Sequence, residues 1–262
     1  MQQDYSALSD VQMEKVEKQT LRTIVQAIQE YSREAKEIFD NTWAEGGQEV
    51  IVLAEDLTRY ALEVAEIYAI NERFAGFIDY KRVRWMPTVY GLIPQVLLCD
   101  AKASTENNRD TLQQSQLTMD AEYVRDGAVM KLKAGVQPHL EIEGTNGVLR
   151  AVTTSIFVHF YYRDLETDLK PYRELMAIYI MCLPHMRLKH IYNPSATVSF
   201  FGKGKESTAR GEKERIRVYF RRLKDMCAWR LQTLEYRGGE GGYTVPLWSE
   251  QGGDATFTFI GR

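Results

Sequence analysis

An acidic residue stands two positions before a lysine four times in this chain of 262 residues: Glu34-Ala35-Lys36, Asp79-Tyr80-Lys81, Asp100-Ala101-Lys102 and Asp168-Leu169-Lys170. Side chains alternate along a β-strand, so an acid and a lysine two apart point to the same side and can share one site. Two carboxylates at neighbouring strand ends would offer a hard cation such as Mg²⁺ the oxygen ligands it prefers. Such a cation polarises a phosphodiester and lowers the pKa of its bound water, while the ammonium orients or helps deprotonate that water. This is the D-x(n)-(D/E)-x-K arrangement of many nucleases. Context separates the four occurrences. The first falls in the middle of a helical pattern and the last in the polar stretch DLETDLK, whereas Asp79 closes the run FAGFI and Asp100 closes QVLLC. A hairpin between the two strands would bring Asp79 and Asp100 together. Burying a carboxylate at the edge of VLLC without a partner would cost several kcal/mol, so a metal or a lysine neighbour is expected there. Spacing alone leaves a metal-dependent nuclease site and a structural Asp-Lys pair both open. Glu55, Glu63 or Glu66 could supply a further acid from a helix, or could be solvated surface.

Other common chemistries lack their residues. Gly202-Lys203-Gly204-Lys205 is followed by Glu206, where a phosphate-binding loop needs Ser or Thr, so a nucleotide cofactor is not expected. The histidines His139, His159, His185 and His190 show no metal-ligand spacing, and His159, inside an apolar run, reads as a satisfied core residue. No G-x-S-x-G elbow occurs. Cys99, Cys182 and Cys227 are odd in number and far apart, which argues against a disulfide framework or a zinc site. The start MQQDYSALSD lacks a signal-peptide pattern and no long apolar run exists, so a cytoplasmic protein with no membrane partner is expected.

The elements that must position these residues follow from periodicity. Ser9 or Asp10 can cap a helix in which Met13, Val16, Thr20, Leu21, Ile24, Ile28, Tyr31, Ala35 and Ile38 recur at helical spacing, to about residue 42. After Gly46-Gly47 a second helix spans about 52–68. Short apolar runs then suggest strands at 74–79, 82–85 and 92–102, the last buried on both faces because Val96 to Cys99 are consecutive apolar residues. A helix opening near Asn108 is expected, then weak strands at 128–133 and 138–143, and strong ones at 152–162 and 175–183. The alternation R-I-R-V-Y-F at 215–220 predicts a strand with a basic face, running into a helix over 221–235, with a last edge strand in ATFTFI. The sum is a single α/β domain over 1–262, with two long N-terminal helices flanking a mixed central sheet.

Net charge is −3, which argues at first against a polyanionic partner. The average conceals a gradient. Residues 1–70 hold 6 basic and 14 acidic residues, whereas 201–237 hold 11 basic and 5 acidic. Lys203, Lys205 and Arg210 lie among glycines, serine and threonine in a loop that could follow a phosphate backbone or simply be mobile surface.

The segments RFAGFIDYKRVRW and PQVLLCDAKASTENNRDTLQ carry the Asp79, Asp100, Lys102 constellation. With VEKQTLRTIVQAIQEYSREAK, EVIVLAEDLTRYALEVAE, AVTTSIFVHFYYR and ARGEKERIRVYFRRLKDMCAWRLQ, they closely resemble the SfiI family of type II restriction endonucleases, within the PD-(D/E)xK nuclease superfamily. The resemblance implies a PD-(D/E)xK core and Mg²⁺-dependent cleavage of double-stranded DNA within an interrupted GGCC-type palindrome, leaving 5′-phosphate and 3′-hydroxyl ends. It also implies a homotetramer engaging two DNA sites. Asp79, Asp100 and Lys102 match the catalytic residues, and Asp79, Asp100 and Ala101 form the metal set. Ile78 stands where some members carry a proline before the first acid. The expected DNA-binding residues are Arg215 and Arg217 of the basic strand, Lys203, Lys205 and Arg210 of the loop, and Asn107, Asn108 and Arg109 beyond the lysine. The rival expectation is a non-catalytic DNA-binding or assembly protein with the same fold.

Overall fold

The computed structural model describes residues 3–4, 8–41, 47–67, 83–86, 95–105, 111–112, 114–144, 147–165, 172–204, 216–236 and 248–253. A short strand β1 (Gln3–Asp4) precedes α1 (Asp10–Glu30), and Ser9 caps that helix in a capping box with Gln12. The Ser9 hydroxyl accepts from the Gln12 amide at 3.3 Å and the Gln12 side chain accepts from Ser9 N at 2.8 Å, satisfying two of the free N–H groups at the helix start. The sequence predicts one helix to about residue 42. The structure instead breaks it at Tyr31 (φ −107°, ψ 12°), giving α2 (Ser32–Asp40) its own start. Ser32 Oγ donates to the Gln29 carbonyl at 2.7 Å, and the Tyr31 ring meets Tyr60 edge-on at 5.1 Å. Periodicity is unchanged across the break, which is why the sequence hides it. α3 (Gly47–Val64) follows. Among the described residues no helix is long and apolar enough to cross a membrane.

The strands are β2 (Val83–Met86), β3 (Gln95–Ser104), β4 (Thr111–Leu112), β5 (Ala121–Arg125), β6 (Ala128–Leu132), β7 (His139–Gly144), β8 (Gly147–Leu165) and β9 (Tyr172–Leu183). After them come α4 (Lys189–Tyr192), β10 (Phe201–Lys203), β11 (Ile216–Val218), α5 (Phe220–Met226) and β12 (Leu231–Glu235). The main sheet is mixed and runs β12-β9-β8-β3-β2, with β1 and β7 also pairing to β8. β3 lies parallel to β8, from Gln95 opposite Val152 to Ser104 opposite Tyr161. β2 pairs β3 antiparallel, and β9 is antiparallel to both β8 and β12. A three-stranded sheet, β10-β11-β4, and the β5-β6 hairpin stand apart from it.

Strand alternation sorts side chains between two cores. On one face Leu97, Cys99, Ala101, Ile156, Val158, Ile178 and Ile180 pack under α2, α3 and the later turns of α1. On the other, Phe157, Tyr161, Tyr179, Met181 and Leu183 meet Leu112, Leu117, Ile216, Val218 and Phe220. Asp100 and Lys102 alternate with the residues of the helical core, so they turn to the second face.

One further expectation is corrected. The helix expected over 221–235 ends at Met226, a short 3₁₀ turn spans Ala228–Arg230, and Leu231–Glu235 is an edge strand paired with β9. Leu223, Met226 and Leu234 mimic helical spacing, but the open edge of β9 supplies main-chain partners that local preference does not foresee. The polar segment after Lys102 contributes β4 and a 3₁₀ turn, Gln114–Gln116, while any helix near Asn108 lies outside the described residues. The ATFTFI strand and the 74–79 run, with Asp79, also lie outside them.

Candidate active site

β3 carries the site because it is buried over the whole stretch before the acid. Residues 95–100 are all buried, as the consecutive apolar run requires, and Asp100 is 5% exposed. Its carboxylate is partnered. Lys102 Nζ lies 2.7 Å from Asp100 Oδ2, and Gln116 Nε2 donates to the same oxygen at 2.7 Å. The lysine side chain is 27% exposed against 7% for the aspartate, so the ammonium forms the open rim of a closed floor. Lys102 Nζ also sits 5.8 Å from the centre of the Phe157 ring. A small cavity beside it is walled by Phe157, His159, Met181 and Leu183. An ammonium against such an apolar wall is less screened by water.

His159 is opposite Lys102 in the parallel register. Burial, and then the Lys102 charge, push its pKa down to about 3, so the imidazole is neutral near pH 7. Ser104 Oγ lies 2.6 Å from its Nε2, and Tyr179 and Phe220 meet the ring edge-on. This is the satisfied core histidine expected from sequence. Cys99 turns to the helical core, where burial pushes its thiol up to about 12. With thiol and imidazole both occupied elsewhere, what Asp100 offers is carboxylate oxygen, a donor that fits a hard divalent ion rather than zinc. Ala101 packs its methyl into the helical core, so it could ligate only through its main-chain carbonyl. Among the described residues no group of three or more His, Cys, Asp or Glu converges.

Glu55, Glu63 and Glu66 belong to α3 and the turn after it, and α3 covers the face opposite Asp100. Glu63 instead acts on Arg84, whose buried guanidinium donates to the Ile67 carbonyl at 2.8 Å. The structure thus brings Asp100 and Lys102 together, while Asp79, the second acid, lies outside the described residues.

The basic strand is close by. β4, a few residues beyond Lys102, pairs with β11, with Leu112 opposite Ile216. Val218 of β11 lines the same cavity as Lys102. Ile216 and Val218 point into the core and Arg217, between them, turns outward. Its guanidinium stands 5.8 Å from the Tyr219 ring and that of Arg222 4.3 Å from it. Tyr219 lies so close over Gly202 that a Cβ there would meet the ring at 2.2 Å, so a side chain at position 202 would displace the tyrosine. Arg217 Nε is buried and, among the described residues, has no hydrogen-bond partner. Lys203 ends β10 and is exposed. Lys205, Arg210, Arg215, Asn107, Asn108 and Arg109 lie outside the described residues. Sequence reasoning missed Gln116, because a lone amide in a polar stretch has no spacing to mark it.

A mixed sheet with an aspartate in the middle of a buried inner strand, a lysine two residues on and a basic strand alongside fits a nuclease of the restriction-endonuclease fold. Comparison with known proteins agrees. The family model for the type II restriction enzyme SfiI matches residues 40–234. The type II restriction enzyme SfiI of Streptomyces fimbriatus is 62% identical over 266 residues, covering 99% of this chain and 98% of its own length. The crystal structure of tetrameric restriction endonuclease SfiI bound to cognate DNA superimposes with a TM-score of 0.80 at 64% identity, covering 93% of this chain and 91% of that one. The restriction endonuclease BglI, bound to its DNA recognition sequence, shares the fold with a TM-score of 0.66 at 16% identity, covering 86% and 91%. This chain belongs to the SfiI family of type II restriction enzymes, which are site-specific endonucleases. The non-catalytic alternative is thereby set aside.

Proposed function

We propose that this chain hydrolyses double-stranded DNA in a Mg²⁺-dependent reaction within an interrupted, GC-rich palindrome of GGCC type, leaving 5′-phosphate and 3′-hydroxyl ends. The carrying observation is the buried Asp100 carboxylate with Lys102 Nζ 2.7 Å from it, directly after the buried apolar run Val96 to Cys99 of β3. Asp79, Asp100 and the Ala101 carbonyl would hold Mg²⁺, which when bound supplies charge neutralisation at the scissile phosphate and a lowered water pKa. Lys102, fixed by Asp100 and projecting from the rim, orients the attacking water and a non-bridging phosphate oxygen. The water oxygen bonds to phosphorus, the bond to O3′ breaks and a proton reaches O3′. His159, held neutral, closes the wall behind the ammonium without competing for the proton.

Arg217, with Arg215, Lys203, Lys205, Arg210, Asn107, Asn108 and Arg109, forms the DNA-contacting set. Arginine donates to O6 and N7 of guanine in the major groove, which suits a GC-rich site, and Arg217 turns outward from a strand that adjoins the cleavage centre. A homotetramer engaging two DNA sites is supported by the tetrameric, DNA-bound assembly of the SfiI relative. Three free cysteines suit the reducing cytoplasm.

Plasmid DNA of known sequence, incubated with the protein and Mg²⁺ and then with EDTA, tests the whole reading. Discrete fragments whose mapped ends fall within GGCC-type sites, with no cutting in EDTA, are expected. Undigested DNA with Mg²⁺, or equal digestion in EDTA, would reject it.

A further inference from the structure

We infer that Gln116 is a positioning residue of the cleavage site, which fixes the Asp100 carboxylate by donating to it and so sets how well the site binds its divalent ion. The inference rests on Asp100 being a metal-binding acid.

The geometry is specific. Gln116 Nε2 and Lys102 Nζ approach the same carboxylate oxygen, each at 2.7 Å, from two different segments of the chain. Two donors on one oxygen fix the rotation of the carboxylate about its Cβ–Cγ bond. They divide the labour by chemistry. A second ammonium or guanidinium in place of the amide would add positive charge and compete with a cation, whereas an amide orients by a dipole and leaves the charge of the acid intact.

The segment holding Gln116 is braced in a way that local sequence does not require. The 3₁₀ turn Gln114–Gln116 leads into Leu117, whose carbonyl accepts from Gly135 N at 3.2 Å and Val136 N at 2.9 Å. Gln114 Nε2 donates to the Lys133 carbonyl at 3.1 Å. A Cβ on Gly135 would fall 2.5 Å from Ser115 Cα and 2.6 Å from the Gln114 carbonyl oxygen, both main chain. A side chain at position 135 would therefore push the whole turn, and Gln116 with it. Leu117 and Met119 are fully buried beyond it. The glutamine thus reaches Asp100 from a fixed base, and conservative partners of a ligating carboxylate are worth about 10- to 100-fold in metal affinity or activity.

The test compares wild type with Gln116→Leu, Gln116→Glu and Gly135→Ala on a duplex carrying one cognate site. Single-turnover cleavage is followed against Mg²⁺ concentration, and Mn²⁺ binding to the protein–DNA complex is measured by electron paramagnetic resonance. Gln116→Leu is expected to raise the Mg²⁺ concentration for half-maximal cleavage by about 10-fold or more and to weaken Mn²⁺ binding by a similar factor. DNA affinity in EDTA should stay within about twofold of wild type. Gln116→Glu, of equal reach but without the N–H donor, should lose as much as leucine, and Gly135→Ala should follow in the same direction. Mn²⁺ binding to Gln116→Glu as tight as wild type would overturn the inference, because Gln116 would then serve the ion through its oxygen. Unchanged Mg²⁺ dependence and Mn²⁺ affinity in Gln116→Leu would overturn it as well. If the leucine variant fails to fold by thermal unfolding, the glutamate variant carries the same test. Asp100→Asn separates the two levels of the argument. If it still cleaves, the reading of the site falls, whereas if it is inactive and Gln116→Leu is normal, only the role of Gln116 falls.

Discussion

In the pair Glu17–Arg230 both side chains are fully buried, whereas in Asp100–Lys102 only the acid is closed off and the cation opens to solvent. Arg230 Nη2 lies 2.6 Å from Glu17 Oε2, the other carboxylate oxygen accepts from His185 N at 2.6 Å, and the guanidinium stacks 4.4 Å from Tyr192 and 4.5 Å from Trp229. That pair ties α1 to the turn before β12, and the contacts around it leave no approach for a substrate. At Asp100 the carboxylate is held by a lysine that opens to solvent and by a neutral amide, so the cationic side of the pair can be approached. An ion pair closed to solvent on both sides makes a bolt, while one that opens on its cationic side can make a site.

Breaking the open pair should cost function and not folding. Asp100→Asn is expected to reduce cleavage by about 10³-fold or more while keeping specific DNA binding and thermal stability, measured by single-turnover kinetics, gel shift and unfolding. Normal cutting would move the centre elsewhere. Breaking the closed pair should do the reverse. Arg230→Met leaves Glu17 buried without its cation and should cost about 3–5 kcal/mol in urea unfolding. Glu17→Leu combined with Arg230→Met should recover most of that loss, since a dry apolar pair replaces an ionic one. If the double variant is no better than the single, the contacts around the pair rather than its charge hold the helix.

A third substitution asks whether the neighbouring strand belongs to the open region. Arg217→Ala should weaken cognate DNA binding by about 1–3 kcal/mol if it reads a base, or flatten the salt dependence if it meets phosphate. The smallest effect concerns pH. The folded-state pKa of His159 is lowered from the ordinary 6.5 to about 3, so the unfolded chain takes up a proton there that the folded chain refuses. Its stabilising effect is complete above pH 6.5 and drains as pH falls toward 3, at up to about 1.4 kcal/mol per pH unit. His159→Asn should make stability less steep in that window, as read from urea unfolding at several pH values.

The open region was easier to read from the chain than the closed one. Consecutive burial of Val96 to Cys99 and the alternation of Asp100 with Lys102 are local facts, and the strand realises both. The Ser9 cap and the basic strand around Arg217 were legible for the same reason. Glu17 and Arg230 were counted as part of an acidic front and a basic back, because nothing in composition says that two distant charges will be buried against each other. β12 was hidden by helical spacing, and Gln116 by the absence of any pattern, since both are decided by partners far along the chain.

The parallel pairing of β3 with β8 has a temporal side. Parallel neighbours cannot be joined by a tight turn, and Asp100 finds its strand partner only at Phe157, after β4 to β7 have been made. Long-range pairing of this kind forms slowly compared with hairpins and helices. A nascent or partly folded chain therefore carries Asp100 and Lys102 but not the strand that walls them in, and the pair is assembled only in the finished sheet.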